Sequence, residues 1–270
     1  MKNNSRLLKT KNLLIRSGIL ILVFNGSYNT KSIAQKNNLQ SWNSVSAKIP
    51  LSKKTDLSIS QFASFSPGNN FQLNFTQTQL RLNYEISKIF SVMAGDQLNY
   101  LPGSTNSLRN RVFIRGTVEN KFSRLLKAEH AMQVEFHNKN EHRYSRRFIF
   151  INELSTKKRF SVLRLRPSAS YWLYYNQGGT PMQYYDKTGA PTVSQTPDGL
   201  HRGRLFLTLN SKISNHFRLS AYYLIQQEFN LFTSENRNIN VANPGTGKIS
   251  RAYDDFNAIG LSLQVVFGKD

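Results

Sequence analysis

Ala258-Ile259-Gly260-Leu261-Ser262-Leu263-Gln264-Val265-Val266-Phe267 is the stretch that decides the fold. Ile259, Leu261, Leu263, Val265 and Phe267 fall on one parity, and Ala258, Gly260, Ser262, Gln264 and Val266 on the other. Side chains of a strand alternate between its two faces, so this run has one wholly apolar face and one more permissive face. Working outward from it, comparable runs cover 41–49, 55–66, 71–86, 90–100, 108–118, 126–136, 144–154, 160–175, 200–213 and 217–229. Turn-forming clusters such as Pro67-Gly68-Asn69-Asn70 separate them. Within 71–86 the apolar parity switches from Phe71, Leu73 and Phe75 to Leu80, Leu82 and Tyr84, which calls for a bulge near 76–78.

Alternation of this length, repeated this often, predicts an all-β fold, an antiparallel up-and-down transmembrane β-barrel of 10–12 strands. Short connections alternate with generally longer ones, and the long segments 176–199 and 230–251 read as external loops. With both barrel ends in the periplasm the strand number must be even. Either 41–49 is not a full stave, giving ten, or one further strand exists, giving twelve.

The first residues are of another kind. Lys2, Arg6, Lys9, Lys11 and Arg16 precede a short apolar core, 18–24, and then a small-residue stretch ending Ser32-Ile33-Ala34. That order predicts a secretory signal peptide over 1–34, leaving 35–270 as the outer-membrane barrel domain. No apolar run is long enough for a membrane-spanning helix, which a barrel does not need. The chain has no cysteine, so disulfides cannot brace an exported fold and a closed ladder of strand hydrogen bonds must serve instead. Its formal charge is +21, and since 1–34 carry six Lys or Arg and no acid, +15 remains on the rest.

If lipid claims the apolar parity, the charged parity faces inward. This points Arg109, Arg111 and Arg115, then Arg143 and Arg147, then Arg164 and Arg166, and lastly Arg202 and Arg204 into the interior from four strands. Lys127, Glu129 and Glu135 share the inward parity of 126–136, and Glu153 and Glu228 add to the acids available. A hairpin symmetric about residue 122 would set Arg115 opposite Glu129 and Arg109 opposite Glu135. Two readings stay open: a ladder of internal salt bridges filling a narrow barrel, or a basic constriction for small anionic solutes. Tyr171, Trp172, Tyr174 and Tyr175 cluster where a strand meets the longest loop and read as an interfacial girdle, a sugar-binding platform being the sharper alternative.

Catalytic and cofactor signals are absent from the pattern. The five histidines show no metal-ligand spacing, and His130 falls on the outward parity. No Gly-x-Ser-x-Gly elbow occurs, and Gly247-Lys248 lacks the earlier glycine and the following Ser or Thr of a phosphate loop. No metal, cofactor or catalytic residue is therefore expected. The basic charge does not read as a nucleic-acid surface, because it recurs on alternate positions of separate, exported strands.

Trp42 followed by Lys53-Lys54, the strands with Arg109-Asn110-Arg111, Arg164-Leu165-Arg166 and Arg202-Gly203-Arg204, and the closing Asn257-Ala258-Ile259-Gly260 give the chain a resemblance to a known family. It is similar to domain of unknown function 2490, found mainly in Bacteroidota and regarded as outer-membrane β-barrels. The resemblance spans about 40–267 and implies architecture and a place in the bacterial outer membrane, with no activity to carry over. The expectation is thus a non-enzymatic barrel in contact with outer-membrane lipid and lipopolysaccharide, structural or a narrow pore with an arginine-rich lumen. The alternative from another class is an outer-membrane enzyme acting on lipid or lipopolysaccharide.

Overall fold

The computed structural model describes residues 38–66, 72–104, 107–141, 144–160, 163–186, 188–231, 245 and 255–268, so the expected leader lies outside the described residues, as does most of the segment 232–254. The strands run β1 (Asn38–Pro50), β2 (Thr55–Ser66), β3 (Gln72–Glu85), β4 (Phe90–Tyr100), β5 (Leu108–Lys121), β6 (Leu126–His137) and β7 (Arg146–Thr156). They continue with β8 (Leu165–Gln177), β9 (Met182–Tyr185), β10 (Pro191–Gln195), β11 (Gly199–Lys212), β12 (Phe217–Leu231) and β13 (Phe256–Val266). Eleven of these described strands close into a barrel in the order β1-β13-β12-β11-β8-β7-β6-β5-β4-β3-β2, and β9–β10 form a separate two-stranded hairpin.

Ten of the eleven contacts are antiparallel, but β1 meets β13 in parallel, Trp42 opposite Gly260 and Val45 opposite Leu263. The expectation of an even number is corrected by this seam. The Trp42 segment is a full stave, and an odd count closes because one pair runs the same way. Consequently β1 starts at the end where the long connections lie, and β13 finishes at the end of the short ones.

Four of those short connections are one device repeated. In 51–54, 86–89, 122–125 and 213–216 the second residue is a serine, Ser52, Ser87, Ser123 or Ser214. Each serine N–H donates to the carbonyl three residues on. Its Oγ accepts from the two backbone N–H groups two and three residues on, at 3.0–3.3 Å. A hydroxyl thus satisfies donors that a tight turn would leave unpaired.

The outer parity carries the large exposed apolar side chains, among them Val45, Ile59, Leu80, Ile114, Leu207 and Ile259. The inner parity holds the buried ones. Trp42, Leu224, Phe256 and Ala258 form one cluster with Phe62, Phe206 and Tyr222 against it, and Ala131, Ile149, Ile151 and Tyr174 another with Trp172. The bulge in β3 lies opposite Ser64 and Phe65, at Asn74, and not at 76–78. Leu73 therefore stays with the outer row while Phe75 turns inward and stacks on Phe62 at 5.5 Å.

Two interior glycines make room for rings lying flat on the wall. Gly95 is paired with Phe113, whose ring stands 2.5 Å from where a Cβ would be, and Gly260 with Tyr222, at 2.0 Å. Gly95→Ala should destabilise by about 1–3 kcal/mol, and Phe113→Leu should not restore it, because the Leu80 carbonyl also stands 2.6 Å from the new Cβ. Gly260→Ala should be restored in part by Tyr222→Leu, since the three atoms nearest the new Cβ all belong to the Tyr222 side chain; urea unfolding of the detergent-folded protein reads both. In the β9–β10 turn, the Thr188 hydroxyl and then the Ala190 amide hold the Asp186 carboxyl below its usual range. A depressed folded value means the turn is stabilised above the ordinary carboxylate pKa and loses that as pH falls through the folded one. Amide exchange at Ala190 should therefore quicken, relative to neighbouring loop amides, only below about pH 4.

Candidate functional site: the barrel interior

Alternation sets which side chains enter the interior, and the registers show which of them meet. Arg109, Arg111 and Arg115 on β5, Glu129 and Glu135 on β6, Arg147 and Glu153 on β7, Arg166 on β8, and Arg202 and Arg204 on β11 all lie on the inward parity. Arg143 lies outside the described residues. Arg164 is corrected: it sits in the turn before β8, exposed, with φ at 51°, because the strand begins only at Leu165, where a bridge to Phe160 closes the turn.

The expected ion pairs are corrected as well. The β5–β6 turn is 122–125, which shifts the hairpin so that Arg115 faces Gln133, Phe113 faces Glu135 and Arg111 faces His137. Glu129 faces Glu119 on one side and Glu153 on the other. Arg109 reaches Glu141, at 3.2 Å, at the loop end.

Glu135, 1% exposed, is the hub of the loop half. Arg147 chelates it, with Nε donating at 2.8 Å and Nη2 closer; Arg111 Nε stands at 3.4 Å and His137 Nε2 at 3.2 Å, while the Gln133 amide donates at 2.5 Å to the other oxygen. Arg147 also donates to the Tyr144 hydroxyl at 2.9 Å. One buried carboxylate is thus shared among several cationic or donor groups, most of them gathered on one of its oxygens.

A second set of arginines is held without carboxylates. Arg115 donates to Gln133 and Arg204 to Gln226, both at 2.7 Å, and Arg204 also to the Tyr174 hydroxyl at 3.3 Å. Their guanidinium carbons lie over rings, Arg204 over Trp42 at 5.2 Å and Tyr174 at 5.3 Å and Arg115 over Trp172 at 5.7 Å; Arg202, which faces Glu228 across the β11–β12 ladder, also lies over Tyr174, at 4.1 Å. Among the described residues Arg81, Arg115 and Arg204 form no ion pair. Trp172 and Tyr174 are therefore interior props for cations and not part of an interfacial girdle, whereas Tyr171 and Tyr175 lie on the outer parity.

These groups line a cavity of about 530 Å³ that runs from Leu101, Arg109 and Glu141 at the loop end to Arg81, Phe206 and Tyr222 at the waist. Seven arginines and two glutamates line it. The turn half is mixed in charge, with Glu119, Glu129 and Glu153 sharing the inward parity with Lys127, Arg166 and Arg218. A cavity of about 160 Å³ there is lined by Glu85, Glu119 and Glu129 with Lys88, and Lys127 pairs with Glu119. Arg81 and the amides of β3 and β4 escaped the sequence reading, although Arg81 alternates with Leu80 and Leu82 and so carried the signal.

No family model matches the chain, and no curated protein matches it. Among solved structures it is similar to one described as "NanC porin structure in rhombohedral crystal form", at 8% identity and a TM-score of 0.41, over 67% of this chain and 78% of that one. The class of the present protein, a closed all-β barrel, is defined by its own strand ladder.

Glu135→Leu should strand two buried arginines, Arg147 and Arg111, and cost about 3–5 kcal/mol, far more than the volume change explains. Glu135→Leu combined with Arg147→Met should be less destabilised than Glu135→Leu alone, as read by unfolding midpoints in one detergent.

Proposed function

We propose that the protein is a non-enzymatic β-barrel of the bacterial outer membrane that takes small anionic solutes into an arginine-lined chamber from the loop end. The apolar outer parity, its large side chains exposed around the cylinder, supports the membrane setting, with outer-membrane lipid and lipopolysaccharide as its surroundings. The observation that carries the solute reading is the excess of seven arginines over two glutamates around one cavity, with Arg81, Arg115 and Arg204 outside any ion pair among the described residues. Cations held in a low-dielectric chamber attract an anion more strongly than they would in water.

The same interior favours binding over conduction. Aromatic side chains crowd the waist, Trp42 against Phe62 at 5.2 Å and Trp172 against Phe206 at 5.1 Å, and beyond it Glu119, Glu129 and Glu153 stand in one cross-strand row.

Both tryptophans of the chain line the chamber beside arginines, which makes them reporters. Titrating the refolded protein with sodium acetate or phosphate at constant ionic strength should change tryptophan emission saturably. Arg204→Gln should weaken binding about tenfold, the loss expected for one charge-assisted hydrogen bond. Planar bilayers should show no steady current. The absence of a saturable emission change, or a steady cation-selective channel, would overturn the proposal.

A further inference from the structure

The chamber has a second wall of different chemistry. Across the barrel from β11, five or six staves away in either direction, β3 and β4 present Gln77, Gln79, Gln97 and Asn99 to the same cavity. Gln79 donates to Gln97 at 3.2 Å and Gln97 to Asn99 at 2.9 Å, a ladder of neutral amides. Each amide offers two donors and a two-lone-pair acceptor, so the ladder leaves the Asn99 donors open, and the Gln77 amide has no hydrogen-bond partner among the described residues. Amides of this kind suit hydroxyl groups, which also both donate and accept.

Resting on the anion reading above, the geometry points to a polyhydroxylated organic anion as the ligand: a small molecule bearing a carboxylate or phosphate at one end and several hydroxyls along the rest. Its charged end meets Arg115 and Arg204, whose planes are fixed on Trp172, Trp42 and Tyr174 while their edges keep N–H donors. Its hydroxyls meet Gln77 and Asn99. The ring faces of Trp42 and Tyr174 are taken by guanidinium groups, so recognition here runs through hydrogen bonds and not through a sugar ring stacked on an aromatic. A volume of about 530 Å³ lies within the range of small-molecule sites.

Three sodium-free-matched probes separate the contributions by tryptophan emission of the full refolded chain: gluconate carries charge and hydroxyls, acetate charge alone, sorbitol hydroxyls alone. Gluconate should bind about five- to tenfold tighter than acetate, as one or two neutral hydrogen bonds allow, and sorbitol should not bind measurably. Gln77→Leu with Asn99→Leu should bring gluconate down to the acetate value and leave acetate unchanged, whereas Arg204→Gln should weaken both. Glucose 6-phosphate against inorganic phosphate repeats the comparison for the phosphate case. Equal affinities for gluconate and acetate, or a double variant that keeps the preference, would overturn the hydroxyl assignment while leaving anion binding in place. Silence toward every anion would remove both.

Discussion

In a cylinder of strands every backbone N–H and C=O on a stave needs a neighbour, and with eleven staves one contact must join strands running the same way. That contact is the β1–β13 seam, and the interior is organised from it. Because parallel partners keep the same alternation, Trp42 enters the interior beside Gly260, Ser44 bonds Ser262 across the seam at 2.8 Å, and the Tyr222 hydroxyl reaches the Trp42 carbonyl at 3.4 Å. The glycine is what lets Tyr222 lie against the wall, and the tryptophan is what Arg204 rests on. The stave that the parity count left in doubt is thus one that shapes the chamber.

Burying this many guanidinium groups costs desolvation, and the molecule offsets it in two ways. Around Glu135 the compensation is charge: one carboxylate serves Arg147 and Arg111, with the His137 ring beside it. Around Arg115 and Arg204 it is neutral, from amide oxygens and ring faces. The first arrangement consumes the cations' charge locally. The second holds the cations in place and leaves their charge to act on whatever enters.

The faces of the barrel were legible because alternation survives register errors. Shifting the β5–β6 hairpin from a centre at 122 to one at 124 moves each partner by four residues, an even number, so every side chain keeps its face while its neighbour changes. That is why the inward arginines could be named and their partners could not. Arg164 was lost because a strand start is set by the turn, and the alternation ran on through it. Trp172 and Tyr174 were misread because composition places aromatics near an interface, whereas their even numbering on β8 puts them inside with Ser170 and Asn176. The serine turns were visible as Leu51-Ser52, Ile86-Ser87, Phe122-Ser123 and Ile213-Ser214, each an apolar residue then serine after a long alternating run.

The division of charge along the axis has a physical consequence for any solute. The loop half is basic and the turn half is mixed: the facing row Glu119, Glu129 and Glu153, a like-charge arrangement that strand pairs ordinarily avoid because directly opposed like charges are destabilising, shares the interior with Arg166 and Arg218. Lys127, paired to Glu119, relieves part of it. The unbalanced positive charge therefore lies in the loop half, where it would favour an anion arriving from the loops over a cation. An interior built only to brace the wall would gain by mixing its charges throughout, as the turn half does; Arg81, Arg115 and Arg204, outside any ion pair among the described residues, forgo that stabilisation and leave positive charge directed into the chamber.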